Sequence, residues 1–333
     1  MKLRVLNAAD VSRALDHKSC IAALRPAMIA VSSGDSVLPL RQFMAVPDTQ
    51  GKMALMPGYL ETGETQGERG FGVKIVSKFP RPKNDPNGTH VGMVVLFQAD
   101  VGLPLAIFDG GRLTAIRTAS ATALATDTLA RKDAKTVLFM GHGEEAEHHV
   151  HALLAARPFE KFLIWGRSSD RAQEFADKMA QAAPSAAYEV VSDPQAAAAQ
   201  TDVICTLTSS PNPIFKGAWL RPGVHINMVG AAVATSAEVD TQTVVRSRWY
   251  TDYKPSLEAQ AGEWINALKE GAVSEDHLIG EIGAVLAGNA PGRQTDSDIT
   301  AYKSLGVTAQ DLCGAKAALE AANAADIGQI IDW

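Results

Sequence analysis

Cysteine is scarce in this sequence. Cys20, Cys205 and Cys313 lie far apart, form no Cys-x-x-Cys pair and are odd in number, which argues against a disulfide framework and for reduced, buried thiols. No apolar run approaches the roughly 20 residues a membrane span needs. The first residues, MKLRVLNAADVSRAL, lack the apolar core and small-residue cleavage site of a secretory leader. A cytoplasmic protein without membrane contact is the expectation. A basic block is also missing: 31 Lys and Arg against 37 Asp and Glu leave a formal charge of −6, so nucleic acid is not an expected partner. Internal repeats and low-complexity tracts are absent too. What is present is a 333-residue chain with 46% hydrophobic residues, enough to fill a core in each of two domains.

From about residue 135 apolar strands alternate with polar helices. TVLFM, KFLIW, YEVVS, DVICTLT, VHINMVG and RWYTDY read as strands, with EEAEHHVHALLAA, SDRAQEFADKMAQAA and DPQAAAAQ as helices between the earlier ones. Such alternation implies a parallel sheet covered by helices. Before residue 120 the pattern changes to a helix, about Ile21 to Ser32, followed by short strands broken by Pro and Gly, including VGMVVLFQAD and PLAIFDGG. That part reads as an α+β unit. RPKNDPNGTH is a turn-rich polar loop, and LETGETQGERG is an unusual polar stretch with no readable role. The chain closes with an alanine-rich helix, Ala309 to about Ala325, that needs a partner surface and is expected to return to the first domain.

Within VLFMGHGEEAEHHVH, Gly141, Gly143 and Ala146 form a G-x-G-x-x-A fingerprint between a strand and a helix. The first Gly permits the tight turn, the second lets backbone N–H groups approach a pyrophosphate, and the small third residue allows close helix packing. A dinucleotide site is therefore expected. An NAD site places an acid at the end of the next strand to accept the ribose hydroxyls. Here that strand ends IWGRSSD, and Arg167 beside Ser168 suits a 2′-phosphate. NADP(H) is thus favoured over NAD(H), the alternative being that Arg167 is a solvated cation and Asp170 opens the following helix. His142, His148, His149 and His151 show no ligand spacing, so no metal is expected; they read as a solvated or partly buried helical face.

Three cations in the first domain stand among apolar or small residues: Arg41 in LPLRQFM, Lys74 in FGVKIVS and Arg117 in LTAIRTASATALA. Such cations require an anion or a pairing carboxylate. Two arginines can hold a substrate carboxylate. A desolvated Lys74 can move a proton near neutral pH. Structural salt bridges are the plain alternative.

GVKIVS, PLAIFDGGRLTAIRTASATALAT, GHGEEAEHHVHAL, TLTSSPNPIF, HINMVGA, GEIGAVLAG and DITAYKSLGVTAQDL occur in this order. Together they resemble the ornithine cyclodeaminase/mu-crystallin family, from about Leu38 to Ala317. The resemblance implies an α/β fold: a Rossmann dinucleotide-binding domain at 119–301 and a smaller α+β substrate and dimerisation domain at 1–118 together with 302–333. It further implies a homodimer and hydride exchange between nicotinamide and the α-carbon of an amino or imino acid. Arg41, Lys74 and Arg117 match the family's substrate-carboxylate and catalytic cations, and Gly141, Gly143 and Ala146 its pyrophosphate loop. Thr206, Thr208 and Ser209 match the loop beside ribose and nicotinamide; Lys303 and Ser304 match the segment that closes over the cofactor. Glu145, where the family commonly has Gln, is expected to point outward. Cyclodeaminases carry an Asp two residues after the glycine matching Gly230, and this chain has Ala232 there. Alanine can neither bind an ammonium nor relay a proton. The expected activity is an NAD(P)H-dependent reductase of cyclic imino acids, of the ketimine type. The rivals are an ornithine cyclodeaminase, an alanine or N-alkyl amino acid dehydrogenase, and a non-catalytic NADPH-dependent binding protein like mu-crystallin.

Overall fold

The computed structural model describes residues 2–63, 69–80 and 90–333. The polar loop RPKNDPNGTH, apart from its last residue, and the middle of LETGETQGERG lie outside them. The chain forms two compact units, 1–118 with 306–333 and 119–305.

The first unit starts with β1 (Lys2–Leu6), α1 (Ala8–Ala14) and α2 (His17–Ser33). Asn7 and Asp10 form a capping box that starts α1, and the Asp16 side chain accepts from Ser19 N to start α2 four residues before the helix expected from Ile21. Gly34, at φ 85°, ends α2 in the left-handed conformation that glycine tolerates. Then follow β2 (Ser36–Val37), β3 (Gln42–Ala45), β4 (Lys52–Glu61), β5 (Arg69–Lys78), β6 (His90–Phe97), β7 (Pro104–Asp109) and α3 (Gly110–Leu129). The boundary between the units falls inside α3, after Thr118.

The second unit continues with β8 (Thr136–Met140), α4 (Glu144–Ala156), β9 (Lys161–Trp165), α5 (Ser169–Ala182), β10 (Ala187–Val190), α6 (Pro194–Ala199), β11 (Val203–Thr206) and β12 (His225–Met228). It ends with α7 (Thr241–Arg246), β13 (Arg248–Thr251), α8 (Lys254–Gln260), α9 (Gly262–Lys269), β14 (Leu278–Glu281), α10 (Ile282–Leu286) and β15 (Thr300–Lys303). The chain then re-enters the first unit through α11 (Thr308–Ala325) and β16 (Gln329–Asp332).

In the second unit the strand order is β10-β9-β8-β11-β12-β15-β13-β14, and every pair is parallel. The direction of winding reverses between β8 and β11, the switch point at which doubly wound sheets bind their ligands beyond the strand ends. β11 and β12 are buried along their whole length, as strands covered on both faces must be. Leu138, Ile204, Ile226, Trp249 and Trp264 contribute to one core cluster of this unit. β14 and β15 were not legible as strands. β15 lies between β12 and β13, so the second unit runs to Leu305 and the return begins at Gly306, correcting the boundary expected at 302.

The first sheet runs β16-β1-β7-β6-β5-β4-β2, with β3 also on β4. Its pairs are antiparallel except β1 with β7. α11 packs on β4, β5 and β6 and against α2, the partner surface its composition demands. Close approach is possible because Gly58 and Gly72, paired across β4 and β5, carry no side chain. A Cβ on Gly58 would lie 2.9 Å from the Thr308 methyl, and one on Gly72 would run into the Val95 carbonyl and lie 3.0 Å from Leu312. This approach brings the first turn of α11 down to Lys74 on β5.

Candidate active site

Lys74 follows Gly70 and Gly72 on the covered face of β5, and all three are buried. Arg117 projects from α3 within the same unit. Both cations meet Asp311 of α11, which is 0% exposed. Lys74 Nζ lies 2.8 Å from Oδ2, and Arg117 Nε donates to Oδ1 at 2.9 Å. Arg117 Nη1 also donates to Gln310 Oε1 at 2.8 Å. Half-buried Arg41 donates from Nη2 to Gly306 O at 2.9 Å. Gly306 has φ +74°, and a Cβ there would lie 2.6 Å from Arg117 Nη1, so this turn needs glycine both for its backbone and for space.

Two cations share the Asp311 carboxylate, with Arg41 bonded nearby to Gly306 O. Burial is the largest influence on the lysine; together with the neighbouring Arg117 and Arg41 it pushes the Lys74 ammonium down to about 7, against the opposing pull of Asp311. Burial raises the Asp311 carboxyl, but Arg117 and Lys74 outweigh it and hold the group below the usual carboxylate range. Two cations therefore meet one carboxylate, and Lys74 can exchange its proton near neutrality. Asp311 was missed as a site residue in the sequence, although it lies in the motif TAQDL. An acid in a helix normally reads as solvated.

In the second unit the G-x-G-x-x-A turn has the form that pyrophosphate binding requires. Gly141 has φ +122°, and a Cβ on it would lie 2.7 Å from Leu207 O across the switch point. Gly143 is the N-cap of α4, offers no side-chain cap and has open space where a Cβ would stand. The amides at the start of the 13-residue α4 thus face an open approach. Ala146 is wholly buried, the small residue that close helix packing needs. After β9, Arg167 is exposed. Ser168 caps α5 by accepting from Arg171 N, with Asp170 in the first turn.

The remaining cofactor candidates divide. Ser209 is exposed and Thr208 half-buried, but Thr206 is wholly buried and its hydroxyl donates to Glu238 Oε2 at 2.9 Å. Thr208 gives Glu238 Oε1 both its hydroxyl, at 2.8 Å, and its N–H, at 2.7 Å. Gly230 N and Ala231 N donate to Oε2 at 2.8 and 3.2 Å. Burial raises the Glu238 pKa, with Lys303 and the Thr208 and Thr206 hydrogen bonds pulling the other way. Lys303 corrects an expectation. It is 0% exposed, bonds Ala231 O at 2.6 Å and pairs with buried Glu263 at 3.2 Å, so it braces the interior of the sheet instead of closing over a ligand. Ser304 is also buried. Glu238 and Glu263 gave no signal in the sequence because their partners are distant along the chain.

Two of the histidines are another correction, while His142 and His151 are partly buried as expected. His149 is not part of a solvated face: it is wholly buried, with Nδ1 against Glu145 O at 2.6 Å and Nε2 against Thr122 Oγ1 at 3.1 Å. Burial pushes its pKa down to about 4, so it is neutral at pH 7. His148 is also buried. Glu145 does not point fully outward, since its side chain is 41% exposed and lies 3.9 Å from His149. All three cysteines are buried thiols outside any disulfide. Among the described residues no helix is long and apolar enough to cross a membrane.

The mixed fold, with its parallel second sheet, fingerprint turn and buried cations, defines a dinucleotide-dependent class of α/β enzyme. Residues 1–326 match the model of the ornithine cyclodeaminase/mu-crystallin family, and the chain belongs to that family. It is 31% identical over 303 residues to a Δ1-pyrroline-2-carboxylate reductase of Bacillus cereus, covering 91% of each chain. Among solved structures it is similar to the Thermococcus litoralis Δ1-pyrroline-2-carboxylate reductase in complex with NADH and L-proline, at TM-score 0.91 and 30% identity, covering 98% of this chain and 99% of the other. It is also similar to an archaeal alanine dehydrogenase dimer with bound NAD, at TM-score 0.90 and 25% identity over the full length of both.

Replacing Asp311 by Asn keeps the shape but strands two buried cations. Urea unfolding should show a stability loss of about 3 kcal/mol or more; a variant as stable as the parent would mean that Lys74 and Arg117 do not depend on Asp311.

Proposed function

We propose that this chain reduces cyclic 2-imino carboxylates with a reduced nicotinamide cofactor, converting Δ1-pyrroline-2-carboxylate or Δ1-piperideine-2-carboxylate to L-proline or L-pipecolate. The observation that carries the reading is the pair Lys74 and Arg117 organised on buried Asp311, with Arg41 beside them on Gly306 O. It supplies what a planar imino acid needs: a docking point for the carboxylate and a proton for the nitrogen. The relatives named as pyrroline-2-carboxylate reductases support the same substrate class.

In this reading Arg117 and Arg41 bind the substrate carboxylate, the guanidinium planes matching its two oxygens. That contact fixes the imine carbon in place, and positioning of this kind accounts for much of the rate in hydride transfer. A bound reduced nicotinamide supplies the hydride. The imine nitrogen gains one proton as the C=N bond becomes a C–N single bond, and Lys74 Nζ holds that proton at a pKa suited to giving it up near neutral pH. Asp311 keeps Lys74 oriented while the proton is exchanged. Deamination needs more, because water must be activated and ammonia released. Ala232 offers no group for this, and Glu238 does not replace it: its carboxylate is wholly buried and occupied by five donors.

The residues fit a dinucleotide. The Gly141 to Gly143 turn and the start of α4 would hold its pyrophosphate, and the Thr208 to Ser209 loop would border the nicotinamide end. Exposed Arg167 beside Ser168 favours NADP(H) over NAD(H), since a guanidinium suits a 2′-phosphate and stands where the acid of an NAD site would. Residues 1–118 with 306–333 would act as the substrate and dimerisation domain. Phe71, Val91, Met93 and Leu105 are exposed on the face of the first sheet opposite α11, an apolar surface of the kind that a second copy covers.

The decisive assay follows NADPH and NADH oxidation with each cyclic imine and with pyruvate plus ammonia or methylamine, beside NAD⁺ reduction with L-ornithine. Imine turnover without ornithine deamination is expected. Ornithine turnover would overturn the meaning given to Ala232, preference for pyruvate plus amine would make the chain an amino acid dehydrogenase, and tight NADPH binding without any turnover would make it a binding protein. Met93→Glu should turn the dimer into a monomer in light scattering; an unchanged mass would remove this face as the interface.

A further inference from the structure

The Glu238 network has more bonds than a stabilising contact requires, and the proposed chemistry does not use it. Five donors converge on one carboxylate that is 0% exposed, from Thr206, Thr208, Gly230 and Ala231. They come from the ends of two neighbouring strands, β11 and β12. The Glu238 N–H donates to Glu263 Oε1 at 2.9 Å, and the same oxygen takes Lys303 Nζ at 3.2 Å. Lys303 in turn donates to Ala231 O, closing the network on the loop after β12. Burying two acids and one lysine is a poor way to gain stability, because apolar side chains of similar volume do as well or better. What such a network provides is one fixed arrangement of the backbone it holds.

We infer that Glu238 is a positioning residue for the nicotinamide half of the cofactor, acting through the loops it ties together. The inference rests on the dinucleotide reading of the Gly141 turn. The packing supports it. A Cβ on Gly230 would run into the Thr208 backbone and lie 2.7 Å from Glu238 Oε1, and one on Gly141 would lie 2.7 Å from Leu207 O. The ends of β8, β11 and β12 are therefore seated shoulder to shoulder. In a doubly wound sheet the two halves of a dinucleotide lie on opposite sides of the switch point. With Arg167 on β9's side, the nicotinamide half falls to β11 and β12, the loops that Glu238 holds. Glu238 itself has no exposed surface and touches neither cofactor nor substrate.

The test is Glu238→Gln in the full-length protein, which keeps the size but places an NH2 donor among N–H and O–H donors. Binding of NADPH against 2′,5′-ADP, and of NADH against AMP, separates the whole cofactor from its adenine half. Whole-cofactor Kd should rise about tenfold and kcat for the imine fall about 10²-fold, while fragment Kd and imine KM stay within about twofold. A merely structural role would weaken fragment and cofactor together. Thr206→Val, which removes one donor that cannot reach a ligand, should show a smaller loss with the same split if Glu238→Gln does not fold. Equal weakening of both, or no change in either, overturns the inference while leaving the dinucleotide reading standing. A wild-type protein that binds neither cofactors nor fragments would overturn both.

Discussion

Asp311 is wholly buried with a cation on each carboxylate oxygen, and much of the first unit is arranged so that this contact can form. Gly58 and Gly72 let α11 approach the sheet, the first turn of α11 brings Asp311 to Lys74, and Gly306 leaves room for the Arg117 guanidinium. Without the carboxylate the cations would repel each other in a low-dielectric interior. With it, Lys74 and Arg117 still face only one carboxylate between them, a state that a substrate carboxylate would balance in the proposed reaction. Burial first, and then the neighbouring arginines, keep the Lys74 ammonium easy to deprotonate. Stability and chemistry therefore meet in a single side chain.

The second unit solves a different problem by the same means. A dinucleotide site is made mostly of backbone, and backbone beyond the ends of strands has no ladder to hold it. Glu238 supplies the missing acceptors for Thr208, Gly230 and Ala231, and Lys303 of β15 with Glu263 of α9 braces it. One unit thus uses a buried acid to collect cations, and the other uses one to collect N–H and O–H donors.

The Rossmann elements were legible because parallel strands covered on both faces read as apolar runs. TVLFM and KFLIW match β8 and β9 residue for residue. β14 and β15 were not, because LIGE and TAYK are four residues long and carry Gly, Glu or Lys where an apolar run would be expected. Isolated cations among apolar residues called for an anion or a pairing carboxylate, and Asp311 pairs with Lys74 and Arg117. The same rule did not expose Asp311 or Glu238, since an acid within a helix or a loop announces nothing until its partners, up to 237 residues away for Asp311 and Lys74, are folded against it. Lys303 was assigned by resemblance to the cofactor, whereas burial gives it to the sheet. Composition cannot tell which side of a strand a lysine takes when its neighbours are Tyr and Ser.

In the proposed reaction Lys74 supplies the proton to the imine nitrogen, so its titration is the most direct test. Lysine labelled with ¹³C at Cε, followed by NMR against pH and assigned with Lys74→Arg, would report it in the intact protein. The expected midpoint lies near 7, set by burial and by Arg117 and Arg41 against Asp311. A midpoint at the ordinary lysine value of about 10.4 would contradict this role, leaving Lys74 a fixed cation with no proton to give at neutral pH.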